Sequence, residues 1–252
     1  LLIAVASCGK KLPPVAPESV APEPVKDLRV VSREGRLLVV FNKPTKNMDG
    51  SRLTDLAGFK VMRRVADEKG CKGCPEKFPV VYDIDVIYPV GAIIEGDRVI
   101  YPDKDIEAGV RYEYKVVAYN KDGYEGPESQ RIAFLWAQPP DRPINLKGKG
   151  GDKVADLEWD APETLLDGSK ATDLVGCNIY RREEGRRHSI DPVNPAPIRE
   201  TSFSDFGLKN DKTYYYTVRA VRAVNEGLIE GPSADEIAVI PKEMLIEEIK
   251  TE

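Results

Sequence analysis

Histidine is almost absent from this chain. His188 is the only one among 252 residues, and imidazole is the commonest general base and a frequent metal ligand. Hydrolytic and metal chemistry therefore have little to work with. No stretch reaches the ~18 apolar residues that a membrane-spanning helix needs. No sustained 3.6-residue apolar period appears, except over Glu243–Ile249, which is long enough only for a short amphipathic helix. Lys and Arg total 37 against 42 Asp and Glu, for a net charge of −5. The signs are mixed along the chain, so no basic stripe exists for nucleic-acid phosphates. Neither a Gly-x-Ser-x-Gly elbow nor an Arg-Gly-Asp tripeptide occurs.

Turn formers are plentiful, with 20 Pro and 20 Gly, and the length suits two ordinary domains. Residues 12–24 read Leu-Pro-Pro-Val-Ala-Pro-Glu-Ser-Val-Ala-Pro-Glu-Pro. Proline fixes its own φ and biases the preceding residue to extended shapes, so this stretch predicts a semi-rigid spacer of roughly 40 Å. A ligand for a proline-binding module is the sharper alternative. Beyond it lies an internal repeat. Asp49-Gly50-Ser51-Arg52-Leu53-Thr54-Asp55-Leu56-Ala57-Gly58 returns 118 residues later as Asp167-Gly168-Ser169-Lys170-Ala171-Thr172-Asp173-Leu174-Val175-Gly176. The same offset carries Arg63-Arg64 onto Arg181-Arg182, Phe41 onto Trp159 and Pro44 onto Pro162. Tyr112-Glu113-Tyr114 matches Tyr214-Tyr215-Tyr216 at 102, and Gly126-Pro127 matches Gly231-Pro232 at 105. The first copy therefore holds about sixteen extra residues between Arg64 and Tyr112.

Each copy predicts strands. Arg36–Phe41 and Val154–Trp159 alternate apolar positions, as do Phe59–Met62 and Cys177–Tyr180. Tyr112–Tyr119 and Tyr214–Val221 alternate aromatic or branched residues, which leaves Glu113, Lys115 and Arg219 facing outward. Clusters of Gly, Pro, Asp and Asn separate the runs. The expected class is all-β, with sandwiches.

Leu157-Glu158-Trp159-Asp160-Ala161-Pro162 resembles the second strand of a fibronectin type III domain. Tyr214 to Val221, followed by Asn225 and Glu230-Gly231-Pro232-Ser233, resembles that family's sixth strand and next turn. The first copy matches through Phe41, Tyr112-Glu113-Tyr114, Ala118-Tyr119-Asn120 and Glu125-Gly126-Pro127, with Phe41 where Trp is usual. The resemblance implies two tandem immunoglobulin-like (fibronectin type III) β-sandwiches after the Pro-rich tether. Their structural core would include Phe41, Trp159, Tyr112, Tyr114, Tyr214 and Tyr216. One tyrosine of each pair, Tyr112 or Tyr114 and Tyr214 or Tyr216, would bond a backbone group at a corner.

The N-terminus resembles a bacterial lipoprotein. Leu1-Leu2-Ile3-Ala4-Val5-Ala6-Ser7 is similar to the tail of a signal peptide, and Cys8 stands where the lipobox places the acylated first mature residue. More than one acyl chain gives a stable anchor, at about 0.8 kcal/mol per buried methylene. Gly9, rather than Asp, follows Cys8, which in Gram-negative lipoproteins implies the outer membrane. The expected organisation is a signal-peptide remnant over 1–7, the anchor and tether over 8–24, sandwiches over 25–137 and 144–241, a stiff linker over 138–143 and a tail over 242–252. The linker's prolines predict limited bending between the sandwiches.

The other cysteines need separate readings. Cys71-Lys72-Gly73-Cys74 lies in the insertion of the first copy. Pro75 stands where haem attachment needs His, a zinc site needs two more ligands, and a redox dithiol expects a βαβ context. A local disulfide in an oxidising compartment is expected, with metal or redox chemistry as the alternative. Cys177 aligns with Phe59 and reads as inert core, and His188 reads as an exposed turn residue. The two Asp-Gly-Ser loops read as turns, or as a shared sugar or calcium site. No cofactor and no metal site is expected. The function these features imply is a non-enzymatic binding or scaffolding module, held to the membrane through Cys8. Its partners would be envelope proteins or polysaccharide. The alternative is a redox or metal-handling lipoprotein using Cys71 and Cys74.

Overall fold

A computed structural model describes residues 19–66, 76–224 and 227–243. Among them the chain is all-β, folded into four open antiparallel sheets. In the first half, β1 (Arg29–Arg33), β2 (Arg36–Asn42), β5 (Ile93–Glu95) and β6 (Arg98–Asp103) make one sheet, in the order β1-β2-β6-β5. Its companion is β4-β3-β7-β8, from β3 (Leu56–Val65), β4 (Val80–Asp85), β7 (Arg111–Asn120) and β8 (Ile132–Leu135). In the second half, β9 (Ile144–Gly151), β10 (Val154–Asp160) and β12 (Ser202–Phe206) pair as β12-β10-β9. Opposite them lie β11 (Leu174–Glu183), β13 (Tyr214–Val224) and β14 (Gly227–Ser233), with β15 (Ile237–Val239) on β13.

Alternation builds each core. Along β10, Ala155, Leu157 and Trp159 turn inward while Asp156, Glu158 and Asp160 face water, the pattern of a sheet wetted on one side. Leu37, Val39 and Phe41 of β2 meet Phe59, Val61, Tyr114 and Val116 from the opposite sheet in one continuous cluster. Phe41 packs edge-on against Phe59, with ring centroids 4.8 Å apart. In the second cluster Trp159 meets Cys177, Ile179, Tyr216 and Val218. Val40 points away from the first core and is still buried, because Ile190 of the second half covers it together with Ile100.

The repeat is visible in the backbone. Bridges Pro22–Asn47 and Lys46–Arg52 return as Pro140–Leu165 and Thr164–Lys170. Each is displaced by the same 118 residues as the sequence motif. Gly126 and Gly231 explain the repeated Gly-Pro: a Cβ on either would collide with the carbonyl oxygen of Pro22 or Pro140. Ser19–Pro22, within the stretch expected to be free tether, are therefore part of the folded unit. Asp49 N donates to Ser19 O and Met48 N to Ala21 O, both at 2.9 Å, and Ala21 is buried. Small and apolar side chains in the tether's last residues made that docking possible.

Candidate functional site

Two buried carboxylates, one in each half, are tied into structural contacts. In the first half Asp103 is buried and accepts from Arg63 Nη1 at 2.7 Å and from the Tyr114 hydroxyl at 2.8 Å. In the second, Asp205 accepts from Arg181 at 2.6 Å and from Tyr216 at 2.7 Å. Burial pushes the Tyr114 and Tyr216 hydroxyls far above the ordinary phenol range, and the neighbouring carboxylates add to the shift. The tyrosines two residues earlier on each strand make the corners. Glu107 N donates to the Tyr112 hydroxyl at 2.8 Å, and Lys209 N to the Tyr214 hydroxyl at 3.0 Å. Phe41 and Trp159 are buried with them. All six aromatic positions singled out in the sequence thus lie inside, and Tyr112 and Tyr214 are the ones that bond backbone.

The Asp-Gly-Ser loops have turn geometry. Asp49 Oδ1 accepts from Ser51 N at 2.8 Å, and Asp167 Oδ1 from Ser169 N at 2.9 Å. Gly50 and Gly168 hold φ of 83° and 81°, values that suit glycine. Cys177 is a buried free thiol, whose pKa burial raises to about 11. Cys8, Cys71, Cys74 and the Glu243–Ile249 segment, apart from Glu243, lie outside the described residues. Among the described residues, no group of three or more His, Cys, Asp and Glu is placed to hold a metal ion.

Three side chains differ from their expected placement. His188 is half-buried, with Nε2 2.7 Å from Glu236 Oε2. Burial lowers its pKa, and the Glu236 bond partly restores it. Its acidic partner lies 48 residues away, so no local spacing announces it. Glu113 is buried on the outer face, because Arg64 and Arg131 converge on it beside the Phe78 ring. Arg219 is buried too. It donates to Gly231 O at 3.0 Å and to Glu34 of the first half at 2.6 Å.

Glu34 belongs to the seam between the halves, a concave region where polar groups of both halves converge. Glu34 and Gly35 have φ of 52° and 72°, the paired positive angles of a tight hairpin turn. That turn carries the end of β1 onto the second half. Arg33 stacks on the Tyr180 ring at 4.5 Å and donates to Ile190 O at 2.6 Å. Arg29 and Arg98 both reach Asp191, at 2.8 and 3.1 Å. Beneath them Glu230 is buried. Its Oε1 accepts from Tyr180 at 2.6 Å and from Asn178. Its Oε2 lies 3.7 Å from Arg33 and accepts no hydrogen bond from the described residues. A groove of about 340 Å³ opens over Glu230, walled by Val30, Ile132, Phe134, Ile190 and Leu228. Sites of this kind, apolar with a few polar groups at a junction, are where proteins bind extended or small ligands. The strands β1, β8 and β14 each end their sheet, and β1 lies beside both of the others at the seam.

No family model matches the chain. Among solved structures, the crystal structure of chicken CNTN1 FN1-FN3 domains resembles it at 16% sequence identity and a TM-score of 0.36, over 89% of this chain and 69% of that one.

Proposed function

We propose that the chain is a lipid-anchored, non-enzymatic envelope module of two tandem fibronectin type III-like sandwiches that docks a protein partner. The observation that carries this reading is the contrast between consumed and free groups. Asp103 and Asp205 are locked by Arg and Tyr. The seam groove over Glu230 remains open. Buried carboxylates held this way stabilise and orient structure, whereas apolar grooves with a few polar groups recognise ligand segments. Two sheets packed on one core in each half, with a tyrosine corner in each, support the sandwich reading. The anchor rests on the lipobox resemblance at Cys8.

Crosslinking mass spectrometry on intact Gram-negative host cells, comparing the parent chain with Cys8→Ser, tests this. A defined envelope protein crosslinked to residues of the seam, only when the chain is membrane-bound, is the expected result. Equal fractionation of both forms as soluble protein would remove the anchor. Membrane attachment with no protein crosslink at the seam would remove the docking role and turn attention to polysaccharide.

A further inference from the structure

The end of the first half at which the chain enters the fold carries an exposed apolar surface. Ile87, Tyr88 and Val90 are 63%, 75% and 79% exposed, within four consecutive positions. They sit on the connection between β4 and β5, and nothing in that connection is loose. Asp85 Oδ1 accepts from Ile87 N at 2.7 Å and from Tyr88 N at 3.0 Å. Val90 N donates to Tyr88 O at 2.7 Å and Ala92 N to Pro89 O at 3.1 Å. The Tyr82 hydroxyl donates to Val90 O. Gly91 makes the turn at φ 77°, where a Cβ would strike the Tyr82 hydroxyl. A loop this well bonded holds large apolar side chains in water at a standing cost, and such patches mark interaction surfaces.

Its position says what covers it. Val86 N bonds Ala57 O at 3.0 Å, and Lys121 N bonds Asp55 O at 2.9 Å. Asn120 Nδ2 donates to Val20 O at 3.3 Å, and Asp49 N to Ser19 O at 2.9 Å. Residues 19–20, 49, 55–57, 86 and 120–121 therefore share one end of the first half. Exposed Met48 and Tyr124 stand on the same end. Cys8 lies eleven residues before Ser19, a span of about 34 Å when extended as polyproline. A chain held at Cys8 keeps this end within that distance of the bilayer.

We infer that the Ile87–Val90 loop, flanked by Met48 and Tyr124, seats in the interfacial region of the membrane that holds the anchor. This rests on the lipid-anchor reading above. Tyrosine with aliphatic neighbours suits that region, where one side of a ring is apolar and the other wet.

The test uses the full chain, acylated in a Gram-negative host, with Tyr88→Trp as a reporter. Trp136 and Trp159 are buried and give a constant background. Phe206→Trp, at an exposed site on the second half, is the control. In phosphatidylcholine–phosphatidylethanolamine vesicles, the indole at position 88 should shift to the blue, resist iodide and be quenched by lipids brominated near the headgroups. The control should do none of these. If mass spectrometry finds acylated Cys8 and the reporter stays as exposed to iodide as the control, the loop does not seat and the anchor stands. An unacylated Cys8 peptide overturns the anchor, and the seating with it. Near-UV circular dichroism matching the parent excludes misfolding as the cause.

Discussion

In the first half the outer edge of β3 is closed by a strand, and in the second the same edge of β11 is closed by an asparagine together with three loop backbone bonds. β4 pairs with β3 from Gly58 to Met62. Along the outer edge of β11 the described residues form no strand, only a bridge between Cys177 and Ile198 and a bond from Val193 N to Ile179 O at 2.8 Å. Asn194 replaces the ladder: Oδ1 accepts from Ile179 N at 2.8 Å, and Nδ2 donates to Cys177 O, Asn178 Oδ1 and Ala196 O. Both solutions satisfy backbone groups that would otherwise be buried unpaired. The contrast shows which parts of the repeat are constrained. The inward Arg–Asp–Tyr tie and the tyrosine corner are the same in both halves, whereas edges and connections are free to differ. The first half uses that freedom for β4, β5 and the apolar loop.

The largest expected effect comes from the shared tie. Asp103→Ala or Asp205→Ala leaves a buried tyrosine hydroxyl without its acceptor and a part-buried arginine without its carboxylate. Each should destabilise its own half by about 2–4 kcal/mol, read by urea denaturation with hydrogen exchange to localise the loss. A small effect at either site would break the equivalence of the halves. Next comes Asn194→Ala, expected to cost about 1–3 kcal/mol through the unpaired groups it leaves. Hydrogen exchange should show new lability at Ile179 N, while the β3 amides stay protected. If both edges loosen equally, the asparagine is not what closes β11.

A smaller loss, about 1 kcal/mol each, is expected for Tyr112→Phe and Tyr214→Phe, which remove only the corner bond to Glu107 N or Lys209 N. Unequal losses in thermal melts would separate the two corners. The smallest effect is confined to alkaline solution. Burial raises the Cys177 thiol to about 11, so the folded state keeps a proton that the unfolded chain releases near pH 9. Stability from this group is present below about pH 9 and falls as pH rises toward 11. At neutral pH the thiol should resist a thiol reagent until the chain unfolds. Replacing Cys177 with Val should flatten the alkaline slope, and the first half, with Phe59 at that position, should not contribute to it.

The inward face of each strand was legible because a period of two writes burial directly into residue order, as Leu157 and Trp159 do on β10. The Asp-Gly-Ser turns were legible for a similar reason, since the groups that make them lie two residues apart. The outward face was not. Arg219 and Glu113 occupy the outward positions that alternation assigns, and yet both are buried. Arg219 is covered by a hairpin turn 185 residues away, and Glu113 by Arg64 and Arg131 beside the Phe78 ring. His188 found Glu236 in the same way. The Ile87–Val90 stretch is apolar and yet exposed, because the Asp85 and Tyr82 bonds hold it out.

Local physics wrote the all-β class, the repeat and its core aromatics into the sequence by itself, because alternation, turn chemistry and proline geometry act over a few residues. Tertiary structure alone decided the seam over Glu230, the partner of each buried charge and the exposure of the apolar loop. Those depend on which surfaces meet after the sheets have formed, and contacts between residues far apart in the chain leave no period behind.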